Sequence, residues 1–110
     1  LSFYGDGAAD DILDSFFDEE KMQHALAPEI AALYRDDLAH GQNNCRILYH
    51  YLLLDKSLAG TSEAMHMHRS TIVYRLNRMK EQYGLLLDSP ERNLHYLLCC
   101  RACLLRDARR

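Results

Sequence analysis

The stretch Thr61-Ser-Glu-Ala-Met-His-Met-His-Arg-Ser-Thr-Ile-Val-Tyr-Arg-Leu-Asn-Arg-Met79 decides the reading of this chain. From Arg69 onward, Ile72, Leu76, Met79 and Tyr83 recur at i, i+4, i+7 and i+11, which is one apolar stripe of a helix facing a core. Ser70, Thr71, Tyr74, Arg75 and Arg78 fall on the other side. Just upstream, Leu58, Thr61, Ser62 and Met65 keep the same 3–4 spacing over a second, shorter helix, and the small Ser62 suits a close approach of the two. Two short helices joined by a tight turn, the second one basic and hydroxyl-rich, form the layout of a helix-turn-helix. The expectation is therefore a recognition helix over about residues 69–83, lying in the major groove of DNA. Arg reads guanine edges or holds phosphates, and Ser, Thr and Tyr mostly hold phosphates. His68 or Ser70 is expected to cap the helix start, which leaves backbone N–H groups pointing at a phosphate. The expected DNA-contacting set is His68, Arg69, Ser70, Thr71, Tyr74, Arg75 and Arg78, with Ser70 and Thr71 nearest the bases.

These residues resemble a known family. His68-Arg69-Ser70-Thr71, followed by Tyr74-Arg75-Leu76 and Arg78, is similar to the H-R-N-T-x-x-Y-R-L-x-R signature of the PucR/CdaR-type transcription regulators. Tyr83-Gly84-Leu85-Leu86-Leu87-Asp88-Ser89-Pro90-Glu91 resembles the family's T-G-L-D-L-D-D-P-E. The likeness extends over residues 26–105, from a lead-in helix at 26–37 and a long helix at 44–54 to a closing leucine-rich helix at 94–105. Ser70 stands where the family has Asn, Ser62 where it has Ala, and Met65 where it has Leu. The family's Arg after D-P-E falls at Asn93, with Arg92 one place earlier. The resemblance implies a Fis-like helix-turn-helix at the C-terminus of a transcription regulator. It also implies double-stranded DNA as partner, a homodimer in the full-length protein, and an effector, if any, bound by an upstream domain.

Composition agrees with that size and class. A chain of 110 residues with 48% apolar side chains supports one small domain with a modest core. The net charge of −3 hides an asymmetry. Residues 1–40 carry ten acids against Lys21 and Arg35, a net −8, whereas residues 41–110 carry eleven bases against six acids, a net +5. The basic part contains the motif, and the local field governs binding to a polyanion. The chain begins at Leu1 without Met and is read as a fragment of a longer protein. No signal peptide opens it and no apolar run approaches membrane-spanning length, so no membrane contact and a cytoplasmic location are expected.

The fold expected is an all-α small bundle of about five to six helices. Residues 8–17 form a first helix with Ile12, Leu13, Phe16 and Phe17 on one face. Pro28 starts a helix that Gly41 closes, and Asn43 or Asn44 caps the next, which runs to about Lys56. Gly84 ends the recognition helix, and Ser89-Pro90 begins the last. Residues 1–25 are read as an acidic lead-in and residues 26–110 as the helix-turn-helix domain.

Other chemistry finds little support. His95, Cys99 and Cys103 at i, i+4 and i+8 spread along two turns and cannot close a tetrahedron, so no metal and no cofactor are expected. The cysteines read as small buried hydrophobes, reduced by default. No phosphate loop, nucleophile elbow or H-E-x-x-H occurs, so no catalytic residue is assigned. Tyr34, Tyr49, Tyr51 and Tyr96 read as core, and Asp36-Asp37 as structural partners of Arg46. The competing reading is a helical module that binds or dimerises with protein through the same exposed face.

Overall fold

The computed structural model describes residues 24–108. The helix expected over residues 8–17, and with it most of the acidic lead-in, lies outside those residues. The described part holds five helices: α1 (Pro28–His40), α2 (Asn44–Leu53), α3 (Leu58–Met65), α4 (Arg69–Tyr83) and α5 (Pro90–Ala108). No strand occurs among the described residues, and no described helix is long and apolar enough to cross a membrane.

Most helix ends follow local chemistry. Pro28 opens α1, where its missing N–H costs nothing. Gly41 closes it at φ 64°, donating its N–H to the Asp37 carbonyl. Gly84 closes α4 in the same left-handed conformation, at φ 69°. Ser57 caps α3 by accepting the Gly60 N–H at 2.9 Å, and Ser89 accepts the Arg92 N–H at the start of α5 at 3.2 Å.

Helix α2 stops at Leu53, earlier than the expected Lys56. Asp55 and Lys56 adopt φ 55° and 62°, left-handed values that non-glycine residues avoid at a cost of roughly 1–2 kcal/mol each. The Lys56 N–H closes the turn onto the Tyr51 carbonyl at 2.7 Å, and its Nζ donates to the Leu87 carbonyl at 2.6 Å. A contact 31 residues away thus helps to hold a turn that local propensity disfavours.

α2 sits at the centre and touches all four other helices. Its Ile47 and Leu48 have no exposed surface; neither do Ile30 and Leu33 of α1, Ile72 of α4, or Cys100 and Cys103 of α5. Tyr34 and Tyr96 lie in this core, while Tyr49 and Tyr51 pack half-buried against it. Buried tyrosines need a partner for the hydroxyl. Tyr96 donates to Glu29, and Tyr34 donates to Asp107 at 2.6 Å, so both bonds tie α1 to α5. Burial, then the Glu29 carboxylate, pushes the Tyr96 phenol up to about 12, and the same bond holds Glu29 below its usual range.

All four cysteines are free and buried. Cys45, remote in sequence, is buried in the same core as Cys100 and Cys103, where α2 packs against α5. The neighbouring Cys100 thiol and burial push the Cys45 thiol well above the ordinary range, and the Cys45 thiol together with burial does the same to Cys103. His95 Nε2 lies 2.9 Å from the Ala25 carbonyl, which the Cys99 thiol also approaches, at 4.0 Å. Among the described residues no three His, Cys, Asp or Glu side chains converge as a metal site.

Candidate nucleic-acid interface

The turn between α3 and α4 is built by three residues. His66 takes a left-handed φ of 55° at the end of α3, the Met67 N–H returns to the Ser62 carbonyl at 3.1 Å, and the Ser62 hydroxyl donates to the Met67 carbonyl. Ser62 therefore does more than allow close approach: its hydroxyl ties the turn. Thr61 has no exposed surface, and its hydroxyl is satisfied by donating to the Ser57 carbonyl at 2.7 Å.

α4 buries Ile72, Leu76 and Met79, each at most 4% exposed, and half-buries Tyr83. His68, Arg69, Ser70, Thr71, Tyr74 and Arg78 are exposed. His68 stands at the N-cap, but neither it nor Ser70 caps the helix with its side chain, contrary to expectation. The positive end of the helix dipole is therefore presented beside Arg69 and Ser70. A shallow surface groove runs there, bordered by Ser62, Glu63, His66, His68, Arg69 and Ser70.

Further along, the Arg78 guanidinium lies 5.8 Å from the centroid of the Tyr74 ring and donates to its hydroxyl at 3.2 Å. That bond raises the Arg78 pKa above its already high value, so the group stays charged. The stacked pair also restricts a long side chain before any ligand arrives.

Arg75 is placed differently from the other six expected contacts. It is half-buried, and it hydrogen-bonds Asn43 and Asn44 at the start of α2. Val73 and Asn77 are also on the exposed surface of α4, outside the expected set, as are Lys80, Glu81 and Gln82 toward its end. Val73 is 37% exposed, an apolar group on the flank. Asn77 is exposed beside Tyr74, Arg78 and Glu81. Asn77 follows Ser70 by seven residues, so the helical spacing alone signalled its position.

The acids of α1 serve this region rather than pairing with Arg46. Asp36 accepts the Tyr83 hydroxyl at 2.5 Å. Asp37, 7% exposed, accepts the Cys45 N–H through Oδ2 at 2.8 Å, while its Oδ1 has no hydrogen-bond partner among the described residues. Burial pushes the Asp37 pKa above the ordinary 3.8, opposed by the N–H groups of Cys45 and Asn44 and by the Arg75 charge. A carboxyl raised on folding binds its proton more tightly in the native state. Its contribution to stability is full below pH 3.8 and is lost as pH rises through the folded value. Asp37→Asn retains an acceptor for the Cys45 N–H and does not titrate. Urea midpoints at pH 4, 5 and 6 should show the variant's midpoint rising relative to that of the wild-type chain as pH rises, and a variant that loses ground over that range would contradict the assignment.

A family model, the PucR C-terminal helix-turn-helix domain, matches residues 45–102. No curated protein and no solved structure matches the chain. The matched residues run from the first turn of α2 into α5 and include the whole of α3, the turn and α4. With over half of its length matched, and with the described helices in that arrangement, this chain belongs to the family of PucR C-terminal helix-turn-helix domains.

Proposed function

We propose that this domain binds duplex DNA for a transcription regulator, with α4 in the major groove. The supporting observation is the outer surface of α4, where His68, Arg69, Ser70, Thr71, Tyr74 and Arg78 are exposed while Ile72, Leu76 and Met79 seat the opposite side in the core. His68, Arg69 and Arg78 hold phosphates, and the helix start adds its N–H groups. Ser70, Thr71 and Tyr74 lie in the first turns, which meet base edges in this motif.

Residues 26–110 form the binding unit, and residues 1–25 are the acidic lead-in from an upstream region. One recognition helix contacts only a few base pairs, so the full-length protein works as a homodimer on half-sites about 34 Å apart. Effector binding belongs to a region outside the matched residues, and the regulator acts in the cytoplasm.

Fluorescence anisotropy of the 110-residue chain on a random duplex across a salt series tests the core of this reading. Three to five phosphate contacts correspond to a log–log slope of about −3 to −5 per protomer. An affinity indifferent to salt would favour a protein-binding face instead.

A further inference from the structure

Arg75 bridges two helices that an apolar stripe alone would leave free to slide. Its Nε donates to Asn44 Oδ1 at 2.9 Å, and its Nη2 donates to Asn43 Oδ1 at 2.8 Å. Asn43 stands at the N-cap of α2, yet its side chain does not cap that helix; its oxygen serves Arg75 instead. The capping task falls to Asp37 of α1, which accepts the Cys45 N–H. The start of α2 is thus held from two sides, by a carboxylate of α1 and by a guanidinium of α4. Eight residues after Arg75, Tyr83 ties the end of α4 to Asp36.

Two directional attachments, about 12 Å apart along the helix axis at 1.5 Å per residue, fix the rotation of α4 as well as its position. The stripe of Ile72, Leu76 and Met79 cannot do so alone, since apolar burial is non-directional. The margin is small. With side-chain tips about 5–6 Å from the helix axis, a slip of roughly 20° moves them by about 2 Å, enough to break a hydrogen bond to a base edge. Ser70, Tyr74 and Asn77 stand at i, i+4 and i+7, all exposed, on the side opposite the buried stripe. An Asn amide there offers the donor and acceptor pair that matches adenine.

We propose that Arg75 is a positioning residue for base recognition: through Asn43 and Asn44 it sets the rotation of α4, so that Ser70, Tyr74 and Asn77 meet base edges. The assignment rests on the DNA-binding reading above. Arg69 and Arg78 supply the sequence-independent attraction, and Arg75 supplies register.

The test uses the 110-residue chain, a duplex selected by the wild-type chain from a random pool, and a scrambled duplex of equal length. Arg75→Ala and the pair Asn43→Ala/Asn44→Ala should each lose at least tenfold in affinity for the selected duplex. The triple variant should lose no more than either, because one network is removed once. Affinity for the scrambled duplex should stay within threefold of wild type, with its salt slope unchanged. A slope lowered by about one in Arg75→Ala, alongside wild-type binding by the asparagine pair, would overturn the proposal and make Arg75 a direct DNA contact. Asn44 is buried, so circular dichroism accompanies each variant. Should Asn44→Ala lower helicity, Asn43→Ala at its exposed position is read alone: a threefold or greater loss on the selected duplex supports the proposal, and wild-type affinity overturns it. A wild-type chain that selects no duplex and binds none in a salt-dependent way overturns the DNA-binding reading itself, a separate result because no variant then has an affinity to lose.

Discussion

Replacing Leu76 by alanine should lower the unfolding free energy by about 2–5 kcal/mol, the range for emptying a buried leucine site. Leu76 is 4% exposed between Ile72 and Met79, which are 0% and 2% exposed, so little surrounding chain is free to collapse into the space. A small domain holds only about 5–15 kcal/mol in total, so the loss is a large share of its stability. The expected signature is a lower urea midpoint with an unchanged slope, together with wild-type DNA affinity in the fraction that remains folded. A stability change under about 0.5 kcal/mol, the range of ordinary surface substitutions, would show that the inner and outer faces of α4 have been exchanged.

Removing the two exposed arginines of α4 should have the opposite pattern. Arg69 and Arg78 are both exposed, so Arg69→Ala/Arg78→Ala should leave the urea midpoint within the small range of surface substitutions. Each lost phosphate contact changes log K by about 0.9 per decade of salt, which corresponds to about tenfold in affinity near 0.1 M. The double variant should therefore bind random duplex about a hundredfold more weakly and show a slope shallower by about 2. Arg78 brings a side effect that can be read independently: its guanidinium packs on Tyr74, so Tyr74 gains freedom in the variant. Equal salt slopes for the double variant and the wild-type chain would place the phosphate contacts on some other surface.

The two predictions separate cleanly because the faces of α4 are written in local spacing. An apolar residue every three or four positions marks the inner side whatever the helix packs against, so Ile72, Leu76 and Met79 were legible before any tertiary contact was known. The outward placement of Ser70, Tyr74 and Arg78 follows from the same wheel. Arg75, three positions after Ile72 and four before Met79, falls by the same spacing on the flank of the buried stripe, but spacing reports direction and not partners. That Arg75 spans to Asn43 and Asn44 depends on α2 beginning beside the flank of α4, which no pattern within α4 contains.

Local sequence accounts for the helices α1, α3 and α4 with their limits, the start of α5, the buried stripe of α4 and the short turn before it. Each depends on interactions within about one helical turn: a proline at a first position, a glycine able to take positive φ, or a serine reaching a nearby N–H. Packing between helices sets the early end of α2, the capping of α2 by Asp37 of α1, the burial of Cys45 with Cys100 and Cys103, and the anchoring of Arg75. These features bring together polar or thiol groups that lie from eight to fifty-eight positions apart in the chain. A hydrogen bond of that kind is available only once helix crossings have brought donor and acceptor together, and those crossings are set by the collective packing of Ile30, Leu33, Ile47, Leu48 and Tyr96 in the core.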